Sequence, residues 1–251
     1  MKPYRTYLFD LYGTLVDIHT NESRPAFWRQ TADVFTRDGA CYSGRELRAA
    51  YLKACRSETD QLASRAPAGT LVEPDLRKVF AALYLAKGRE AAPELVERTA
   101  LAFRRLSTTH LRAYAGAAEL LQALRDRGRE VVLLSNAQRC FTEPELRKLG
   151  LWDCFDRIFL SSDLGVQKPD PGIFSKALEA LGREPADCLM IGNDPVCDVG
   201  GAVSVGIDAV YVHSGLSPRP APGPDWKAAK YRLPRMDLRR LARLLLSETE
   251  L

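Results

Sequence analysis

Apolar residues along this chain follow two rhythms. Residues 4–8 form a short, aromatic-rich apolar run that predicts a buried strand ending in Phe9-Asp10, and Gly13 then breaks it. From about Ser23 to His110 the spacing is helical, with long Arg- and Glu-rich faces and no convincing strand. Pro67-Ala-Gly69 and Gly88 divide that stretch into four predicted helices. Further on the rhythms alternate: helix 118–127 closed by Gly128, strand 130–134, helix 143–148 ended by Gly150, and strand Arg157–Leu160. Helix Pro171–Leu181, strand 188–191, helix 199–205 and strand Asp208–Val212 follow. A Pro-rich run at 217–225 reads as a surface loop, and 236–247 as a last amphipathic helix with Leu238, Leu241 and Leu245 on one side.

Strands and helices alternating at this spacing predict right-handed crossovers and a parallel sheet covered on both faces. Such sheets bind ligands beyond the carboxyl ends of their strands, which is where the polar clusters of this chain fall. After the first strand comes Asp10-Leu-Tyr-Gly-Thr14, a carboxylate at a tight turn among free backbone N–H groups. Ser135 and Asn136 follow strand 130–134 and offer a hydroxyl and an amide. Gln167-Lys168-Pro169-Asp170-Pro171 places a lysine just before a helix start. Gly192-Asn-Asp-Pro-Val-Cys-Asp198 follows strand 188–191, and two neighbouring carboxylates there are costly unless a cation is close. Singly, each cluster also has an ordinary reading as a turn, a helix cap or a solvated loop.

Composition narrows the choice. The 251 residues carry a net charge of +4 with basic and acidic residues interspersed, so no basic stripe argues for nucleic acid. The six cysteines and three histidines are scattered without zinc-site spacing, which predicts reduced thiols. The N-terminus reads as neither signal peptide nor membrane span, so a cytoplasmic protein with no membrane partner is expected.

Taken together, the four clusters resemble the haloacid dehalogenase-like (HAD) superfamily. Residues 10–14 match its first motif, Ser135 its second, Lys168 its third, and Asn193 to Asp198 approximately its acidic fourth. The resemblance implies an α/β fold: a Rossmann-like parallel-sheet core (1–15 and 113–251) with an inserted all-helical cap domain (16–112). It also implies that Asp10 attacks the substrate to give a covalent aspartyl intermediate that water cleaves. Lys168 would balance the negative charge, and Thr14, Ser135 and Asn136 would bind the transferred group's oxygens. In the family's phosphatases Mg²⁺ is held at the positions of Asp10, the Tyr12 carbonyl and Asn193 or Asp194, with Asp198 behind them.

One departure stands out. The phosphatases usually carry a second aspartate two residues after the nucleophile as acid and base; this chain has Tyr12. Tyrosine there is similar to the L-2-haloacid dehalogenases, which work without metal, whereas the acidic fourth cluster is similar to the phosphatases. Three readings stay open: an Mg²⁺-dependent hydrolase of a small phosphorylated anion, which is favoured, a metal-independent carbon–halogen hydrolase, and a weakly active regulatory protein that binds a phosphorylated ligand. Any of the cap arginines (Arg24, Arg29, Arg37, Arg45, Arg48 and Arg56 among them) could meet an anionic substrate, and His19 could line the pocket mouth. The sequence does not specify oligomeric state.

Overall fold

The computed structural model describes residues 4–218 and 225–246; most of the Pro-rich run and Ser247 of the last predicted helix lie outside the described residues. In chain order, β1 (Thr6–Phe9) and β2 (Val16–Thr20) lead into α1 (Pro25–Arg37), α2 (Gly44–Ala63), α3 (Leu76–Leu85) and α4 (Pro93–Ser107). The chain returns through β3 (Thr108–Ala113) to α5 (Ala117–Arg125), β4 (Glu130–Ser135), α6 (Arg139–Lys148), β5 (Arg157–Leu160) and α7 (Ser161–Leu164). It closes with α8 (Pro171–Leu181), β6 (Cys188–Gly192), α9 (Gly201–Ser204), β7 (Asp208–Val212), β8 (Tyr231–Leu233) and α10 (Leu238–Leu246).

Among the described residues six strands form one parallel sheet in the order β5-β4-β1-β6-β7-β8. Alternate residues of each strand feed opposite faces. Tyr7, Phe9, Val131, Leu133, Leu189 and Ile191 pack with α5 and α10, while Leu8, Val132, Leu134 and Met190 pack with α8 and α9. Burial on both faces is why these strands read as nearly unbroken apolar runs. The register Leu133–Phe9–Ile191 aligns the carboxyl ends of β4, β1 and β6, so whatever follows those three strands converges.

The inserted helices α1–α4 enclose an aromatic cluster of Phe27, Trp28, Phe35, Phe80, Tyr84 and Phe103. Phe141 of α6 joins it, its ring parallel to that of Phe103 with centroids 6.1 Å apart, so one core helix is part of the insert's own packing. Ser43 and Glu46 start α2 with a reciprocal capping box. Residues 71–76 strap the insert to the loop that carries Lys168. Gln167 N donates to Leu71 O at 2.9 Å, Leu71 N to Asp170 Oδ2 at 2.9 Å, and Leu76 N to Gln138 Oε1 at 2.9 Å.

Several elements differ from the sequence expectation. The insert is entered and left through an antiparallel ribbon, β2 paired with β3, at the two ends of the segment 16–112 expected to be all-helical. Its residues VDIHT and TTHLRA are polar on the exposed face and too short to show a clear period. His19 lies on this ribbon, with its Nδ1 2.8 Å from Thr109 Oγ1, rather than at a pocket mouth. Helix α6 starts four residues before the predicted Glu143, because Pro144 lies inside the helix and not at its first turn. The predicted helix at 199–205 starts instead at Pro195, as a wide π-type turn capped by the Asp194 side chain.

Candidate active site

The convergence places Asp10 at the centre. Its backbone N–H donates to Ile191 O at 2.9 Å, continuing the β1–β6 ladder, and the residue is 8% exposed. Asp10 Oδ1 accepts from Lys168 Nζ and from Ser135 Oγ, both at 2.9 Å. Oδ2 is left with Thr14 Oγ1 at 3.5 Å. One carboxylate oxygen is thus fixed and the other faces the cavity.

Lys168 is fully buried, yet all three of its ammonium donors are used: Asp10 Oδ1, Asp198 Oδ1 at 2.6 Å and the Leu134 carbonyl at 2.9 Å. Burial opposes its charge, but the two carboxylates outweigh burial and hold the ammonium well above its ordinary pKa. Asp198 is equally committed, its Oδ2 accepting from Asp194 N at 2.8 Å. Burial, offset only in part by Lys168 and reinforced by the charge on Asp10, pushes the Asp198 carboxyl up to about 7.

Two glycines make this packing possible. A Cβ on Gly192 would lie 2.1 Å from Asp198 Oδ2, and one on Gly13 would lie 2.3 Å from Asn193 Nδ2, with Gly13 at φ +88°. Gly13→Ala therefore adds backbone strain to a steric clash in a buried turn. We expect it to destabilise the protein by about 2 kcal/mol or more. Urea denaturation checks this, and an unchanged midpoint would show that the turn yields freely.

The other expected site residues divide. Asn136 lines the cavity, and its amide also holds the Lys168 backbone: Nδ2 donates to Lys168 O at 2.8 Å and Oδ1 accepts from Lys168 N at 2.7 Å. Asn136 thus fixes the lysine loop, with one Nδ2 hydrogen and one Oδ1 lone pair left over. Asp194 uses Oδ1 to cap Val196 N and Cys197 N at 2.8 and 2.9 Å, leaving Oδ2 open at the cavity. Asn193 Oδ1 and Asp10 Oδ2 both lie within reach of Thr14 Oγ1, whose single proton serves one of them.

Tyr12 departs most from expectation. Its hydroxyl donates to Glu145 Oε2 at 2.5 Å and lies 3.1 Å from Thr142 Oγ1, both on α6, instead of facing Asp10. Burial, then the Glu145 charge, raise its pKa far above the ordinary phenol value. Tyr12 is a candidate catalytic residue by its place two residues after Asp10, but its phenol is not placed to trade protons with a reacting group. The Tyr12 carbonyl, by contrast, accepts no hydrogen bond from the described residues. Sequence reasoning missed Arg104, Thr142 and Glu145, the groups around Tyr12. The available signal was an acid at 145 sharing a helix face with Phe141 and Leu146.

The cavity above these groups measures about 170 Å³ and is bounded by Asp10, Ser135, Lys168, Asn193 and Asp198, with Leu216 and Pro218 at its lip. It has room for a phosphoryl group or a halide and opens to solvent. No cluster of three His, Cys, Asp or Glu able to hold a metal occurs among the described residues. A hard cation with mostly water ligands needs less, and the open donors are all oxygen: Asp10 Oδ2, the Tyr12 carbonyl, Asp194 Oδ2 and the Asn193 amide. That donor set fits Mg²⁺. Asp198, with both oxygens engaged, stands behind it and not in it.

A parallel α/β sheet that presents a lysine-held aspartate at its carboxyl edge, with helices inserted just after it, defines the class. The family model for haloacid dehalogenase-like hydrolases matches residues 4–206, and the chain belongs to that family. It is 35% identical over 142 residues to the phosphoserine phosphatase of Thermus thermophilus, spanning 56% of this chain and 57% of that one. The chain therefore covers little more than half the length of that curated relative. It is 26% identical over 226 residues to the (S)-2-haloacid dehalogenase 4A of Burkholderia cepacia, covering 85% of each. Among solved structures, a HAD phosphatase from Thermococcus onnurineus superposes with a TM-score of 0.61 at 25% identity, over 98% of this chain and 100% of that one. No helix among the described residues is long and apolar enough to cross a membrane.

Proposed function

We propose that this protein is a Mg²⁺-dependent hydrolase of small phosphorylated anions, with Asp10 as nucleophile and the helical segment 16–112 as a cap over the site. The supporting observation is that Asp10, Tyr12, Asn193 and Asp194 line one small cavity, with the Tyr12 carbonyl left without a hydrogen-bond donor among the described residues. Asp10 Oδ2 attacks phosphorus, the bond from phosphorus to the leaving oxygen breaks, and water then hydrolyses the aspartyl phosphate. Lys168 and Ser135 hold Oδ1 so that Oδ2 is aimed, and the Lys168 charge stabilises negative charge gathering on the transferred oxygens. Bound Mg²⁺ would be held by Asp10, the Tyr12 carbonyl and Asn193 or Asp194, and would shield phosphate charge. The phosphatase relatives support this choice. The free state of all six cysteines supports a cytoplasmic location.

Since the Tyr12 phenol is turned away and high in pKa, the favoured substrates are those whose leaving group departs without a proton: acyl phosphates and phosphoanhydrides. The full chain should release phosphate from acetyl phosphate in Mg²⁺, lose that activity in chelator, and turn over phenyl phosphate far more slowly. The dehalogenase relative, aligned over most of the chain, favours a second reading. Chelator-insensitive chloride release from 2-chloropropionate, with no phosphate release, would establish that reading and sink the first.

A further inference from the structure

The hydroxyl of Tyr12 ends in a network that the proposed hydrolysis does not use. Glu145 accepts from it while lying 7% exposed on α6, and a carboxylate so placed needs a cation. The cation comes from the inserted helices. Arg104 on α4 reaches Glu145 Oε1 with Nε at 2.6 Å and Oε2 with Nη2 at 3.4 Å. Its guanidinium also lies 5.6 Å from the Tyr12 ring centroid and 5.1 Å from that of Phe141. A continuous set of contacts thus runs from α4 through α6 to the residue two positions after Asp10. The side chain at one end is fixed by the insert; the carbonyl of the same residue borders the cavity.

We propose that Arg104 is a positioning residue: seating α4 on α6 fixes Glu145, Glu145 fixes Tyr12, and Tyr12 fixes the 10–14 turn. The catalytic turn is then fully formed only when the helical segment is docked. Without Arg104, Glu145 is a buried acid with no cation, and the two bonds that hold its carboxylate in place for Tyr12 are gone. Lysine does not replace the arginine, because its point charge cannot span both carboxylate oxygens while stacking on two rings.

The kinetic arm of the test rests on the proposed phosphatase reading; the exchange arm does not. Arg104→Met, Arg104→Lys and the double variant Arg104→Met/Glu145→Gln are compared with the parent for acetyl phosphate turnover and for amide hydrogen exchange across residues 11–16. Arg104→Met should lower kcat by about tenfold or more with KM changed less than about twofold. Exchange in the turn should rise by about tenfold or more. Arg104→Lys should recover little, whereas the double variant, which leaves no bare buried charge, should recover much of the exchange protection. A raised KM at unchanged kcat with a protected turn would make Arg104 a substrate contact and overturn the proposal. Unaccelerated exchange in Arg104→Met overturns it whatever the activity. If the parent does not hydrolyse acetyl phosphate, the phosphatase reading fails and exchange alone decides the positioning role.

Discussion

Asp10→Asn should cut acetyl phosphate turnover by a factor on the order of 10⁴ or more while leaving the protein folded. The asparagine keeps the shape of the side chain, and its amide oxygen can still accept from Lys168 and Ser135 in place of Oδ1. Lys168 retains Asp198 and the Leu134 carbonyl, so its buried charge stays paired. Nucleophilicity, however, is gone: an amide does not form the acyl-phosphate bond on which the two-step reaction depends. Phosphate release and a thermal melt measure the two halves of the prediction. Residual turnover above roughly 1% of the parent in a folded variant would mean that Asp10 orients a water instead of attacking, and the covalent route would fall.

The sheet and the centre of the site were legible because both depend on long-range rules written into short, strong local signals. Strands β1, β4 and β6 are buried on both faces, and the acid, hydroxyl and acidic-turn clusters follow them directly; a parallel topology then brings those clusters together. Lys168 could be placed near Asp10 through resemblance, but its local context resembles that of any loop lysine. What the sequence hid were contacts whose partners lie far apart. Tyr12 meets Glu145 across 133 positions, and Arg104 meets Glu145 across 41, neither carried by any period or motif. The backbone bonds of Asn136 and Asp194 were hidden for a related reason. Asn136 stands where a substrate-binding group is expected and Asp194 where a metal ligand is, and each also carries backbone bonds that hold the site's loops in place. The ribbon β2–β3 escaped because its pairing, and not its composition, makes it a strand.

The same geometry explains how a tyrosine is tolerated at a position where an aspartate is expected. An aspartate there would place another carboxylate within reach of Asp10, while Asp198 already contends with burial and with the Asp10 charge. Tyr12 removes that charge, directs its polar end to α6, and keeps only a neutral carbonyl at the cavity. The exchange gives up an acid and base near the reacting atoms, and the proposed substrates, whose leaving groups need no proton, follow from that loss.

Lys168→Met should both abolish turnover and destabilise the fold, by about 3–5 kcal/mol, since it leaves two carboxylates facing each other without their cation. The deficit should also depend on pH with a definite sign. In the parent, the Asp198 carboxyl titrates at about 7, above its unfolded value, so below that pH it is protonated in the folded state. In the variant the same group loses the partner that had been lowering its pKa, and its folded value moves higher still. Below about 7 Asp198 is therefore neutral in both proteins and adds nothing to the stability gap. As pH rises above that value the parent ionises Asp198 against Lys168, whereas the variant must retain the proton or bury a bare charge. The gap then widens by up to about 1.4 kcal/mol per pH unit until the variant's own group ionises. Urea denaturation of both proteins at pH 6.0 and pH 8.5 reads this directly. A gap that is equal at the two values, or that shrinks with rising pH, would show that Lys168 does not hold Asp198 as a charged partner, and the buried Asp10–Lys168–Asp198 arrangement would lose its electrostatic basis.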